Sequence, residues 1–496
     1  MHGSRGFHLG SKRGARDFCF CSRDREHPDA PPACAALCSF CSSTWSSEKE
    51  GLILSSYSRW ATAVATVALL VGAAIPAAAD HKTRPSTKNM HALGHSEHRA
   101  EFFGPPAAER HVNSDLAFWG DLAFNGNYDG FRIIDISAPG DPKEIFHQRC
   151  NGDQGDIVVW DDILVRSWNS PAPAGRFCDG QPVPAGFEGL HVFDISDLTN
   201  PELVASVPLG CGSHTATGVP DLANNRLIVY SNVSSGCNWM DIVEVPLGAP
   251  QNSHLLRTEP IMGGTLGSNN GCHDVGVILG DVNLAACASG HAANVFSVGA
   301  PNGGTLEDPR FLYTIEEQDA GGKVGVGGRW HSAAFTWDGE VLVLGWEPGG
   351  GAAPECEASD PDIKKSLFFY DAATGAKLGR WVLPRPQSSA ENCTVHNYNI
   401  VPLRSGRYVA VSGNYQAGTW VTDFTDPANA TTVAWSDPPP VTPANLGGAW
   451  STYWYNNFLY ESEIQTGLNV FRVSDQVLGG ATRLPHLNPQ TQEFSL

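Results

Sequence analysis

Basic residues are scarce in this chain. Its 496 residues carry 32 Lys and Arg against 52 Asp and Glu, and residues 1–79 hold 8 of the former and 6 of the latter. From Asp80 onward that leaves 24 basic and 46 acidic side chains, a net charge of −22 with no basic cluster to offset it. Such a surface repels nucleic acid and anionic lipid, so neither is an expected partner, and the acidity reads as the solubility of an exported protein. Long apolar stretches with a 3.6-residue period are also missing after residue 80, which argues against a helical fold. Several catalytic signatures are absent as well: there is no Gly-x-Ser-x-Gly elbow, no P-loop, no dinucleotide fingerprint and no His-Glu-x-x-His. A sugar hydrolase or lyase ranks last among the readings, because strand ends carry Asp and Glu for turn reasons and no carboxylate pair stands out.

What the chain does have is short apolar runs bounded by Gly, Pro, Asn and Asp, with 53 glycines and 34 prolines for tight turns. One stretch organises the rest: Gly130-Phe131-Arg132-Ile133-Ile134-Asp135-Ile136-Ser137, running on to the turn Pro139-Gly140-Asp141-Pro142. Copies follow at Gly189–Asp197, Gly418–Pro427 and Gly467–Asp475, with weaker ones at Asp241–Val245, Asn294–Val298 and Leu367–Ala372. From Asp135 through Asp194, Glu244, Ser297, Asp371 and Asp423 to Arg472 the intervals are 59, 50, 53, 74, 52 and 49 residues. Self-similarity at that period marks an array of equal supersecondary units.

Within a unit the order repeats: a strand, a two-residue turn (Gly120-Asp121, Asp161-Asp162, Asp338-Gly339, Asn456-Asn457), a second strand, a variable loop, the organising strand and a last strand. Such turns suit hairpins whose central residues have φ > 0. The expectation is an all-β fold, a seven-bladed β-propeller of four-stranded antiparallel blades over residues 105–483, with a C-terminal tail at 484–496. Lys88–His95 resembles the last strand of a unit, as in Pro201–Val207, so the ring is expected to be closed by an N-terminal strand within an arm at 80–104. Asp135, Asp194, Asp371 and Asp423 end organising strands ahead of turns and are expected to accept turn N–H bonds, a structural role.

The Phe131–Pro142 segment and its copies resemble the LVIVD-repeat family, exported propeller proteins of mostly unassigned function. The resemblance covers most of residues 90–480 and implies the architecture while saying almost nothing about chemistry. The units around Glu244 and Ser297 depart from its pattern.

The first 80 residues differ from the rest. Residues 1–50 hold Cys19, Cys21, Cys34, Cys38 and Cys41 at spacings that fit no strong zinc template, and are expected to be translated sequence upstream of the true start. Residues 51–79 are a predicted signal peptide: Arg59, an apolar core from Ala61 to Ile75, Pro76, and Ala77-Ala78-Ala79. Cleavage there leaves Asp80 first, a secreted monomer and no stable membrane span. His91, His95 and His98 of the arm are candidate metal ligands, but a floppy arm with no fixed partner is the expectation. Eight cysteines then remain, and their alternation between the segment before a first strand and the loop after a second strand predicts the pairs 150–178, 211–237, 272–287 and 356–393.

Six residues before each hairpin lie His214, His273, His331 and His396, with Asn113, Gln154 and Ala449 in the other three units and a register error of one residue allowed. Equivalent residues of a closed ring face one axis at one height, so the histidines are expected at the channel mouth. They are candidate ligands of a transition metal, copper or zinc, and the competing account has each ring bonding the neighbouring blade's backbone. Glu347, Asn414, Glu461 and Glu463 end or follow second strands on the same face and, with Asn113 and Gln154, are candidate channel-mouth ligand groups. Two functions follow: an extracellular binding or scaffolding module for a small molecule or protein, or a metal-dependent enzyme, an oxidoreductase first of all.

Overall fold

The computed structural model describes residues 81–100, 111–233, 236–263, 271–316, 328–348, 351–441 and 446–496. The expected extension and signal peptide, residues 1–79, lie outside the described residues, as does the end of the arm. No α-helix occurs among the described residues, and no helix there is long and apolar enough to cross a membrane.

Seven antiparallel blades of four strands each follow one another along the chain, two of them extended by a short fifth strand from the C-terminal tail. Blade 1 comprises Asn113–Trp119, Leu122–Asn127, Gly130–Asp135 and Lys143–Arg149, and blade 2 Ile157–Trp160, Ile163–Trp168, Gly189–Asp194 and Glu202–Pro208. Blades 3 to 6 begin with first strands at Ala216–Asp221, Cys272–Ile278, Arg329–Phe335 and Tyr398–Ile400. Blade 7 takes Ala449–Tyr455, Phe458–Glu463 and Gly467–Val473 from the end of the ring and Met90–Glu97 from its beginning. The chain is thus a seven-bladed propeller, and the N-terminal strand closes it. Both pattern-poor units, around Glu244 and Ser297, are complete blades.

Burial runs from the axis outward. Cys272–Ile278 and Ala449–Tyr455, both first strands, are buried at every position, whereas the last strand Lys143–Arg149 is exposed or half-buried everywhere except at Gln148. The core therefore lies between blades. Phe131 of blade 1 meets Phe193 of blade 2 with ring centroids 5.1 Å apart, and Phe369 stacks on Phe424 at 4.4 Å across blades 5 and 6.

A second signature accompanies the organising strand. In every blade the last strand carries one extra residue opposite it: Ile145, Val204, Leu256, Leu312, Leu378, Val433 and, on the closing strand, Leu93. All seven are apolar. A bulge strengthens local twist, and Ile145, Val204, Leu256, Leu312 and Val433 pack against the core from it, whereas Leu378 is exposed. The organising aspartates behave as expected: Oδ1 of Asp135, Asp194 and Asp423 accepts the N–H two residues on at 2.8, 2.9 and 2.9 Å, and Asp371 Oδ1 accepts from Thr374 N at 2.8 Å. Of the four turns, only Asn456-Asn457 has φ > 0 at both central residues; Gly120, Asp161 and Gly339 supply one each. The four disulfides join Cys150 to Cys178, Cys211 to Cys237, Cys272 to Cys287 and Cys356 to Cys393, as predicted.

Two segments depart from expectation. The arm histidines are held: His91 Nε2 meets Ser474 Oγ at 2.7 Å, His95 Nδ1 meets Asn469 Oδ1 at 2.8 Å, and His98 Nδ1 meets Asn113 Oδ1 at 2.8 Å. Strand pairing with Gly467–Val473 fixes the backbone first and leaves the rings beside polar partners. The polar C-terminal tail is built into the ring. His486–Leu487 pairs with the end of the first strand of blade 1, and Thr491–Gln492 runs parallel to that of blade 4. Between them Asn488 bonds both backbone groups of Val159, and Thr491 Oγ1 donates to Gly218 O at 2.8 Å. The tail thus crosses the C-terminal ends of the first strands, at the end of the channel opposite the histidines.

Candidate functional site

The first strands of blades 4, 5 and 7 are irregular at the position sequence register singles out. Their ladders to the second strand skip His273, His331 and Trp450. A bulge re-aims the side chain it carries, here into the channel, and takes the residue's carbonyl out of the ladder. That carbonyl is satisfied from the preceding blade. His273 O accepts from Thr215 Oγ1 at 2.5 Å, His331 O from His273 Nδ1 at 2.9 Å, and Trp450 O from His396 Nδ1. A chain of bonds thus passes from blade to blade at the channel mouth.

The four predicted histidines converge. Ring centroids are 4.4 Å apart for His214 and His273, 3.9 Å for His273 and His331, and 4.5 Å for His331 and His396, with Tyr415 next at 4.3 Å. They line a cavity of about 240 Å³ together with Gln154, Glu347, Arg329, Tyr415 and Trp450. Three rings are anchored through Nδ1: His273 and His396 on the carbonyls above, and His214 on Asn169 Oδ1 at 3.1 Å. A carbonyl oxygen only accepts, so the Nδ1 of His273 and of His396 carries its hydrogen and each Nε2 keeps a lone pair. The two accounts of the ring are therefore compatible, since one nitrogen bonds the neighbouring blade and the other is left for the channel.

Glu347 completes the arc. Its Oε2 lies 3.6 Å from His331 Nε2 and its Oε1 3.9 Å from His396 Nε2, and Tyr415 Oη is 3.2 Å from Glu347 Oε1 and 2.9 Å from His396 Nε2. One ligand atom each from His273, His331 and Glu347 lies within 4.8 Å of the others. Burial pushes His214 down to about 3, with Arg329 and His396 adding to it, and His396 down to about 4 against the Trp450 carbonyl. It also holds His273 and His331 well below the ordinary imidazole value, helped by neighbouring imidazoles. Burial raises Glu347 to about 7, opposed by Arg329 and the Tyr415 hydroxyl. At neutral pH the site therefore presents neutral imidazoles, the form that ligates metal.

Below the histidines, Asp115 and Asp156 also line the cavity, and Asp274 follows His273 on its strand. Burial raises all three, Asp274 to about 8 with Asp115 adding to it. Sequence register missed these carboxylates, Arg329, Tyr415 and Trp450. In blade 7 the channel residue is Trp450 instead of Ala449, the one-residue displacement being the bulge itself. Gln154 and Glu347 reach the cavity; Asn113, Asn414, Glu461 and Glu463 are not among its lining. Asn113 binds His98, Asn414 Nδ2 bonds Ser412 and Gly418, Glu461 pairs with Arg84 and Thr419, and Glu463 accepts from Gly448 N.

The LVIVD repeat matches residues 113–149, all of blade 1, and 185–208, the second half of blade 2. No curated protein matches the chain. Similar solved structures include a chain of a S. cerevisiae complex of dbp5 with nup159, gle1, IP6 and ADP, at 9% identity and TM-score 0.47, covering 77% of this chain and 94% of that one. A chain of the mitotic checkpoint complex is similar at 11% identity and TM-score 0.44, over 81% and 98% of the two chains. The β-propeller domain of Myceliophteria thermophila Cps50 (Swd1) is similar at 11% and 0.44, over 76% and 100%. Outside the LVIVD match, the assignment as a propeller rests on the strand ladders above.

Proposed function

We propose that this LVIVD-repeat propeller is an exported binding module whose ligand site is the histidine-lined channel mouth, and that the ligand it holds there is a divalent first-row transition ion, zinc or copper. One observation carries the proposal: His273 and His396 each donate Nδ1–H to a backbone carbonyl, which orients Nε2 in the way the outer partners of metal-ligating histidines do, with Tyr415 Oη beside the Nε2 of His396. Export is supported by four disulfides and by the predicted signal peptide. Metal analysis of tag-free secreted protein, followed by calorimetric titration with Zn²⁺ and Cu²⁺, tests it. One equivalent lost in His273→Ala/His331→Ala supports the site; an unchanged equivalent removes it.

A metal-dependent oxidoreductase is the second reading. It is favoured by the space beside the ligands, where Tyr415 Oη, Arg329 and Gln154 share the cavity with Glu347 and leave room for a small molecule next to an ion. Substrate-dependent redox turnover by the copper-loaded protein, lost in the same double variant, separates this from simple binding.

A further inference from the structure

A second group of metal-ligating side chains lies away from the channel, where the closing strand meets blade 1. His98 follows the closing strand Met90–Glu97, His111 precedes the first strand of blade 1, Asp129 sits between its second and third strands, and His147 is on its last strand. One ligand atom from each lies within 4.8 Å of the other three. His111 Nδ1 is 3.0 Å from His98 Nε2 and 3.1 Å from Asp129 Oδ2, and His147 Nε2 is 3.5 Å from the same oxygen. Four ligands at about 2.0–2.1 Å from a tetrahedral zinc ion are separated by about 3.3–3.4 Å, and these separations bracket that value.

The outer partners are in place as well. Asn113 Nδ2 donates to the carbonyls of His98, Glu463 and Ile464 at 2.9, 3.2 and 3.2 Å, so its Oδ1 faces His98 Nδ1 as an acceptor. His98 Nδ1 therefore carries the hydrogen and Nε2 the lone pair that points at His111. Asp129 supplies an independent sign of an unfilled role. Its side chain is 0% exposed; Oδ2 is met only by ion-pair contacts that lack hydrogen-bond geometry, and neither Oδ1 nor His147 Nε2 has a hydrogen-bond partner among the described residues. Arg149 Nη1, on a half-exposed side chain, also reaches Asp129 Oδ2 at 2.8 Å, the oxygen that His111 and His147 approach. His111 adopts φ 52°, a left-handed conformation rare for a non-glycine residue and one that clusters at functional sites.

We propose that His98, His111, Asp129 and His147 form a second, three-histidine-one-carboxylate site for a divalent transition ion, and that the ion fastens the seam at which the propeller ring is closed. The argument uses none of the channel residues. An ion there joins the closing strand to three segments of blade 1, so it binds the closed ring and not an opened one, and its binding raises the free energy of opening.

The test is Zn²⁺ titration of metal-stripped, tag-free full-length protein by calorimetry, with thermal melts at each ratio and Co²⁺ as a spectroscopic probe of four-coordination. The channel variant His273→Ala/His331→Ala should retain one equivalent, the visible bands of four-coordinate Co²⁺ and a Zn²⁺-dependent rise in Tm. His111→Ala/His147→Ala should lose that equivalent and those bands, with affinity down about 100-fold or more, and its Tm should no longer respond to Zn²⁺ at this site. His147→Gln is the milder variant if the double substitution does not fold. Unchanged stoichiometry and an unchanged Zn²⁺-induced Tm rise in the folded seam variants would overturn the proposal. If the channel reading alone fails, wild-type protein binds a single equivalent that survives the channel substitutions and disappears in the seam variants.

Discussion

His273 and His331 face each other across the boundary of blades 4 and 5 with ring centroids 3.9 Å apart, and His273 Nδ1 bonds the backbone carbonyl of His331 itself at 2.9 Å. The second residue thus orients the first through its main chain while its own ring takes the adjacent place on the arc. Replacing both by alanine should abolish binding of Zn²⁺ or Cu²⁺ at the channel. It should also cost about 1–3 kcal/mol, because the His331 carbonyl, displaced from the ladder, loses its donor. Calorimetry and denaturant unfolding of the same variant measure the two effects. Binding that persists in a folded double variant would place the ligand elsewhere.

The organising aspartates should behave in the opposite way. Asp135 Oδ1 holds Ser137 N at 2.8 Å, and the Ser137 hydroxyl together with that backbone bond keeps its carboxyl below the usual range. The group is partly exposed, so water replaces much of what is lost, and Asp135→Ala should cost about 1 kcal/mol. Metal stoichiometry at both sites should stay at the wild-type value. Loss of metal from a variant that melts normally would contradict the turn role.

The sequence makes some of this legible and hides the rest for a physical reason. The organising strand and its Asp-bonded turn are local, so seven copies spaced 49 to 74 residues apart announce the blades before any contact is known. The disulfides follow from the blade plan, as does the convergence of His214, His273, His331 and His396. A bulge leaves no such mark. Because side chains alternate across a strand, one inserted residue moves the channel position from Ala449 to Trp450. Leu484–Leu496 looks like a solvated tail because it is polar, yet its amides and hydroxyls bond the backbone of the innermost strands. The seam cluster spans residues 98 to 147 and depends on ring closure, which spacing alone does not reveal.

The buried carboxylates of the channel should make stability pH-dependent. Burial raises Asp115, Asp156 and Asp274, so the folded state keeps protons that the unfolded chain releases above about pH 4. This is the reverse of the usual aspartate case. Through these three groups the native state holds protons that the unfolded one has lost, so their contribution to stability falls as pH rises from about 4 towards 8, while the histidines that burial lowers contribute in the opposite sense up to about pH 6.5. Each such group contributes a slope of at most about 1.4 kcal/mol per pH unit. Asp156→Asn keeps an oxygen for Ala216 N, which Asp156 Oδ2 now accepts at 2.7 Å, and removes the titration. Urea unfolding of metal-free protein at pH 5 and pH 8 should show the variant closer to wild type at the lower pH and more stable than it at the higher one. Parallel pH profiles would show that Asp156 does not titrate between those limits.

The tail offers the sharpest test of the far end of the channel. Asn488 Oδ1 accepts Val159 N at 2.9 Å and its Nδ2 donates to Val159 O at 2.8 Å, so one amide replaces a strand partner for a buried residue of blade 2. Nothing shorter than an amide satisfies both groups. Asn488→Ala leaves a buried donor and a buried acceptor unpaired, and should cost about 2–4 kcal/mol. Asn488→Asp keeps the acceptor and loses the donor, so its cost should be smaller wherever the carboxyl can hold a proton. Metal binding at the mouth should survive in both variants, since the histidines are anchored from blade to blade and not from the tail. Denaturant midpoints for wild type, Asn488→Asp and Asn488→Ala should therefore fall in that order while Zn²⁺ stoichiometry stays constant. An Asn488→Ala protein as stable as wild type would show that Val159 finds other partners and that the tail does not hold the inner strands.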